Sequence, residues 1–440
     1  MNQRTRTVTP GPVITEQARR LLATVSAEPG APLQLVIVAP GGYGKTALLR
    51  ELARSYRDAG VDVVTDWPTT GADDWRRSVM LVDDAHLLPS AQLRILRDVG
   101  CPRLVIACRP WPRPTELAEL MQDIGRGRPP MPLAPWDTSA VRRALGALGV
   151  AESCAEFVHD MTGGVPRWVL RVARSWPWNG DVPAAAVESL RFDLESLDTN
   201  VVRYLVAAQA AVGLRIDLLA SLLRCDSDGV GEVMRAARAS GFLGKEGTLL
   251  PLCALAVARV VPAEQYLGVL QRLAELQLDR AEPILPFARS LLSSGATGCT
   301  VSAVLETAAR EVVVSDPALA AELFGASVSA GQPLSAVVAD WARAAALAGD
   351  LDTALRLADQ AISGQDPETR VAGARVAAAA LANRGQWARS AELYGWAGDC
   401  PFATIASIAV GGAAKVPAAR ADSPPTMLDG AAALMAEGVR

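Results

Sequence analysis

Apolar and polar positions divide the chain into two regimes. Residues 33–38, 79–82 and 104–107 are almost uninterrupted apolar runs of strand length, and a run without polar alternation predicts a strand covered on both faces. Helical periodicity lies between them and also precedes them at 16–25. The first part of the chain therefore predicts an α/β sheet domain. Beyond Pro130 the strand-like runs stop and helical periodicity takes over at 138–148 and 154–161. It resumes at 167–174, after the turn Thr162-Gly163-Gly164-Val165-Pro166.

Residues 187–262 read as short helices followed by a hairpin-like Gly241-Phe242-Leu243-Gly244-Lys245-Glu246-Gly247, a helix-turn-helix with a wing. From 263 onward amphipathic helices dominate. Gly349-Asp350-Leu351 and Gly385-Gln386-Trp387 align at a spacing near the roughly 34-residue period of tetratricopeptide repeats, each between two helical stretches. The expected division is a leader at 1–31, a sheet domain at 32–128, a helical subdomain at 129–186, a winged-helix-like domain at 187–262 and a helical arm with repeats at 263–440. The final 429–440 reads as the start of another helix without a cap, so the repeat array is expected to be incomplete.

Composition narrows the classes. With 50% hydrophobic and only 5% aromatic residues in 440, the cores must be filled by Ala, Leu and Val, which favours closely packed helices. A formal charge of -4 provides no global attraction to nucleic acid or an anionic membrane. No apolar run approaches the roughly 20 residues of a membrane span, and nothing at the start reads as a secretion signal. Seven cysteines without close CxxC spacing argue against a disulfide framework or zinc knuckle, and a cytoplasmic location is expected.

The chemistry concentrates behind the first predicted strand, in Ala39-Pro40-Gly41-Gly42-Tyr43-Gly44-Lys45-Thr46, followed by helical Ala47-Leu48-Leu49-Arg50. A phosphate chain needs backbone N–H groups free of side-chain obstruction, a cation for the β/γ oxygens and a hydroxyl for Mg²⁺. Gly41, Gly42, Tyr43, Gly44, Lys45, Thr46 and Ala47 form the expected nucleotide cradle, although Ala39 replaces the first glycine of the usual phosphate-loop spacing. The second strand ends in Asp83-Asp84, where α/β sheets bind ligands. Asp83, with Thr46, is the expected Mg²⁺ ligand; Asp84 would orient or activate water. Arg109, after the third strand, either reaches a γ-phosphate or sits on the surface. Lys45, Asp84 and Arg109 are thus the catalytic candidates. His86 is either structural or a switch contact, and Trp111 is expected to pack locally.

These motifs, with Gly164-Val165-Pro166, resemble the signal-transducing ATPases with numerous domains. Among these, the nearest likeness is to the large ATP-dependent LuxR-type transcription regulators related to the maltose-regulon activator. The likeness covers about residues 12–262. It implies a multidomain α/β plus α architecture: a P-loop NTPase domain, a helical subdomain, a winged helix and tetratricopeptide-like repeats. It also implies that Pro166 packs near adenine, and that Val13-Ile14-Thr15-Glu16 replaces an entry motif whose Gly-Arg pair is missing. ATP or ADP with Mg²⁺ would operate a switch, with slow hydrolysis resetting nucleotide-dependent self-association. A small-molecule inducer such as a sugar, or a regulatory protein, would bind the repeats. DNA would be read by a C-terminal domain not evident in this sequence.

Two other classes are consistent with the residues: an active ATPase motor, and a helical scaffold with a decayed nucleotide fold. DNA binding by 187–262 is disfavoured, because Asp226-Ser227-Asp228 places carboxylates at a helix start where phosphates would lie. Arg4, Arg6, Arg19 and Arg20 are expected to form a solvated face. Trp341, Trp387, Tyr394 and Trp396 either stack on a sugar or fill the core between repeats.

Overall fold

Alternate residues of the first apolar run point to opposite faces of one sheet, which explains why the run needs no polar partner positions. In the computed structural model, which describes residues 15–65, 77–177, 181–210, 215–280 and 284–410, this run is strand β1 (Leu33–Val38). Leu35 and Ile37 enter one core cluster, Val36 the other. Arg4, Arg6, the Val13-Ile14 segment and 429–440 lie outside the described residues.

Helix α1 (Glu16–Ala27) precedes β1, and α2 (Lys45–Asp58) follows it. Both cover the first face, where Leu21 and Val25 meet Leu52 and Tyr56. The boundary expected at residue 31 thus separates α1 from a core to which it contributes. Strands β2 (Val63–Val64) and β3 (Val79–Val82) come next, then α3 (Ser90–Asp98), β4 (Arg103–Cys108), α4 (Thr115–Gly127) and β5 (Met131–Pro132). Helices α3 and α4 close the second face with Leu93, Leu96, Leu117, Leu120 and Ile124.

The sheet is parallel throughout, in the order β2-β3-β4-β1-β5. It fits a P-loop nucleotide-binding domain. β4 extends one residue beyond the expected run at each end, and its first residue, Arg103, is buried. Its guanidinium donates to the carbonyls of Ser78 (3.3 Å) and Gly30 (3.0 Å), tying together segments that lead into neighbouring strands. The two-residue strands β2 and β5 escape sequence reading because they are too short to show a period.

Helices α5 (Thr138–Ala147), α6 (Ala155–Thr162) and α7 (Pro166–Arg174) follow, the last with Pro166 in its first turn, where no intrahelical N–H is needed. Then come α8 (Ala184–Glu188), α9 (Arg191–Glu195), α10 (Thr199–Gln209), α11 (Ile216–Leu223), α12 (Ser227–Ser240) and α13 (Pro251–Val260). Asp226 caps α12, accepting from the Gly229 N–H at 2.8 Å, so this carboxylate serves the helix start itself. The hairpin-like segment after α12 narrows to a single antiparallel bridge, Leu243 to Leu249.

The chain divides into two compact units, 1–266 and 267–440. The division falls within α14 (Ala263–Leu278); the second unit continues with α15 (Leu285–Ser294), α16 (Cys299–Val312), α17 (Pro317–Ser329), α18 (Leu334–Leu347), α19 (Leu351–Ile362), α20 (Pro367–Asn383), α21 (Trp387–Trp396) and α22 (Cys400–Ala409). The aligned glycine turns have matching hydrogen bonds: Gly349 N–H to Ala346 O and Asp350 N–H to Ala345 O, Gly385 N–H to Ala382 O and Gln386 N–H to Leu381 O. Tyr394 is buried and stacks on Phe402, and Trp341 packs partly buried against a core of alanines and leucines. Trp387 is half-buried. Trp396 is 51% exposed, with the Arg370 guanidinium 5.5 Å from its ring. Among the described residues, no single helix is long and apolar enough to cross a membrane.

Candidate functional site

The turn from β1 into α2 brings the P-loop to the C-terminal edge of the sheet. Gly44 caps α2 in the left-handed conformation (φ 91°), and the first N–H groups of α2 have no partner within the helix. Beside it lies a cavity of about 450 Å³, lined by Gly41, Gly42, Tyr43, Gly44, Lys45, Thr46, Ala47, Asp84, Arg109 and Pro166. Residues named from four separate stretches of sequence thus share one cavity.

Lys45 is 6% exposed, and its Nζ donates to the carbonyls of Ala39 (2.8 Å) and Pro40 (2.9 Å). Burial, reinforced by Arg109 and opposed by Asp84 and Asp83, lowers its pKa to about 8. Burial likewise raises the Tyr43 hydroxyl. The Thr46 hydroxyl donates to Asp83 Oδ2 at 2.6 Å, and the Asp84 N–H donates to Asp83 Oδ1 at 2.9 Å. Asp83 therefore stands one step behind the cavity wall, linked to it through Thr46. This pair of oxygen donors suits Mg²⁺, which takes one or two protein ligands and completes its shell with phosphates and water. Among the described residues there is no group of three or more His, Cys, Asp or Glu that would form an all-protein metal cage.

Asp84 has φ 45° and ψ 41°, the left-handed region that a side chain other than glycine rarely adopts. His86, two residues on, is 4% exposed. Burial lowers its pKa to about 4 despite the opposing pull of Asp84, so the ring is neutral at pH 7. Its Nδ1 accepts the Arg109 backbone N–H at 3.4 Å and thereby joins the ends of β3 and β4. The Arg109 Nε is buried without a hydrogen-bond partner among the described residues, a donor suited to an anion in the cavity.

The opposite wall was not legible in the sequence. Leu133, Trp136, Ala144, Leu148 and Leu170 form an apolar face, and Arg50, Arg167 and Arg174 add cations. With Lys45 and Arg109 these outnumber the single lining carboxylate, Asp84, which favours a polyanionic ligand having one apolar end. Two of these arginines had local pointers, Arg50 in its place on the helix behind the P-loop and Arg167 directly after Gly164-Val165-Pro166.

A second contact was equally hidden. The Gly41 N–H donates to Ala239 O at 2.9 Å, at the end of α12, and the Arg167 N–H donates to Gly42 O at 3.0 Å. The Trp168 Nε1–H donates to Gly241 O at 3.0 Å, while its ring meets Phe242 edge-on at 5.4 Å. Trp111, expected to pack locally, lies instead under the Arg235 guanidinium of the distant α12, 4.5 Å from its ring. The P-loop and the loop after β4 are therefore both tied to α12.

No family model and no curated protein matches the chain. Among solved structures, similarity extends to a signal-transduction ATPase with numerous domains and a tetratricopeptide repeat sensor from Pyrococcus horikoshii. That match has 12% identity and TM-score 0.35, and covers 89% of this chain and 64% of that one. The chain thus spans somewhat less than two thirds of that protein's length. The RuvB Holliday junction branch migration motor of Thermotoga maritima matches at 18% identity and TM-score 0.32, covering 52% of this chain and 89% of its own. AMPPCP-bound DnaA from Aquifex aeolicus matches at 13% identity and TM-score 0.32, covering 61% and 90%. At such low scores, the fold rests on the chain's own sheet order and P-loop.

Proposed function

We propose that the unit 1–266 is a nucleotide-operated switch that binds ATP or ADP with Mg²⁺ and hydrolyses ATP slowly. The observation that carries this reading is the convergence of Lys45, Asp84 and Arg109 on one cavity whose P-loop is also hydrogen-bonded to the end of α12. A ligand that displaces the P-loop or replaces its contacts acts directly on a helix outside the sheet. A nucleotide shifts such an equilibrium only through different affinities for the two arrangements, and the terminal phosphate supplies the difference.

In this reading the glycine turn and the N-terminus of α2 hold the phosphates, with Lys45 leaving the loop carbonyls to neutralise them. Thr46 and Asp83 hold Mg²⁺, which when bound offsets phosphate charge. Asp84 orients the attacking water, Arg109 contacts the terminal phosphate, and Pro166 with the apolar wall receives the base. The motifs further support placing the switch in a cytoplasmic transcription regulator of the LuxR type, with 187–262 as a winged-helix element and the second unit as a tetratricopeptide-like sensor. An inducer such as a sugar, or a regulatory protein, would bind that sensor and promote self-association. DNA would be contacted by a separate domain.

The test is to denature the purified protein, identify released nucleotide by chromatography and measure ATP turnover, with Lys45→Ala in parallel. Bound ADP present in the wild type, absent from the variant and accompanied by turnover of a few per hour or less supports the switch. Rapid turnover would replace it with a motor, and failure to bind Mg-ATP or Mg-ADP with a scaffold.

A further inference from the structure

The cavity holds more positive charge than the 5′ phosphates of a nucleotide use. Five cations line it, against the single carboxylate of Asp84. Lys45 and Arg109 stand at the phosphate end, and Arg167 is already paired with Asp193 of α9. That leaves Arg50 of α2 and Arg174 of α7. Among the described residues neither has a hydrogen-bond, ion-pair or aromatic partner, and both are exposed, so a ligand can reach them.

Their positions set them apart from the P-loop. Arg167, Leu170 and Arg174 follow one another at helical spacing on α7, and all three line the cavity. The Arg167 N–H is bonded to Gly42 O at 3.0 Å, which fixes the first of the three at the phosphate loop. At roughly 1.5 Å per residue, Arg174 stands about 10 Å farther along the helix, past the apolar Leu170. Arg50 stands one turn, about 6 Å, past Thr46 on α2. A 5′ phosphate chain held by the P-loop brings its sugar and base toward this end, and neither of those carries charge. Two unneutralised guanidiniums beside an apolar face therefore suit a sugar that bears an anion of its own.

We propose that Arg50 and Arg174 form a second anion subsite, for a nucleotide that carries a phosphate on a ribose hydroxyl in addition to its 5′ chain. Resting on the nucleotide reading of the cavity, this names the class of nucleotide that fills it best. A guanidinium bonds phosphate through paired N–H donors, and it does so without a carboxylate nearby to compete. The cavity then distinguishes nucleotides by the phosphorylation of the ribose as well as by the length of the 5′ chain.

The test is equilibrium competition against radiolabelled ADP with Mg²⁺, on the full chain, by unlabelled ADP, GDP and ADP carrying an added 2′- or 3′-phosphate. At least one of the two ribose-phosphorylated forms is expected to bind about tenfold or more tightly than ADP, the effect of a charge-assisted contact. Arg50→Ala and Arg174→Ala should each remove most of that advantage and lower ADP affinity much less. Arg174→Lys should restore part of it, since lysine keeps the charge but loses the fork. Ribose-phosphorylated forms that bind no better than ADP, or alanine variants that weaken every nucleotide equally, would overturn the subsite while leaving the nucleotide site standing. An arginine-dependent preference for GDP would also overturn it, because the guanidiniums would then be reading the O6 and N7 acceptors of a base. A wild type that binds none of these nucleotides would overturn the nucleotide reading beneath it.

Discussion

Gly41 of the P-loop and Gly241, just past α12, are packed so closely that neither has room for a side chain. A Cβ on Gly241 would stand 2.1 Å from the Gly41 carbonyl oxygen, and one on Gly41 would stand 2.4 Å from Ser240 O. The opposing atoms are backbone and cannot rotate aside. Gly241 also has φ 86°, so glycine is required there twice over.

Gly241→Ala should therefore part the two segments without altering any residue lining the cavity. Release of a fluorescent ADP analogue in stopped flow is expected to accelerate on the order of tenfold, corresponding to about 1.4 kcal/mol of lost restraint. An unchanged release rate in a folded variant would show that α12 does not restrain the P-loop.

Trp168 offers a gentler probe of the same contact. Trp168→Phe keeps an aromatic ring in a fully buried position but removes the donor to Gly241 O. Denaturant titration should show about 1–3 kcal/mol of lost stability from the unpaired carbonyl. A loss within about 0.5 kcal/mol would mean that another donor, or water, replaces the indole.

The two adjacent aspartates should separate by readout. Asp83→Asn alters the carboxylate bound to Thr46, so Mg²⁺-dependent nucleotide affinity should fall by about tenfold or more. Asp84→Asn should leave affinity nearly intact and reduce turnover about 10²- to 10⁴-fold, the range of a general base. Equal effects of both variants on affinity and turnover would contradict the division of roles.

Acid and alkali should act through different buried groups. The pKa of His86 falls from an ordinary 6.5 to about 4, so between those values the unfolded chain binds more protons than the folded one. Stability is lost as pH falls through that window, and His86→Asn should flatten this segment of the Tm profile. Lys45 shifts from 10.5 to about 8 in the same downward sense, so the empty protein gains stability between pH 8 and 10.5. Binding phosphate requires the charged amine, and the Tm increase produced by Mg-ATP should shrink above pH 8. A ligand-induced increase independent of pH from 7 to 9.5 would remove Lys45 from phosphate binding.

The strands and the P-loop were legible because their signals are local. Burial on both faces demands almost continuous apolar residues in β1, β3 and β4, and the turn into α2 demands glycine where the backbone goes left-handed at Gly44. The carboxylates at the end of β3 follow from the same logic, since a strand pointing at the ligand edge must end in the groups that serve it. By contrast, β2 and β5 are two-residue strands whose conformation comes from the ladder beside them.

Tertiary packing alone decided what faces the P-loop. The Ala239 carbonyl, the Arg167 N–H bonded to Gly42 O, and the apolar wall around Trp136 come from segments far along the chain. Apart from the place of Arg167 directly after Gly164-Val165-Pro166, nothing in their own neighbourhoods marks them. A local pattern records which residues are buried and where the backbone must turn, whereas the pairing of two distant surfaces depends on how whole helices dock. The residues that would bind a nucleotide were written in short stretches, and the segments that meet the P-loop came together only through the packing of α7 and α12.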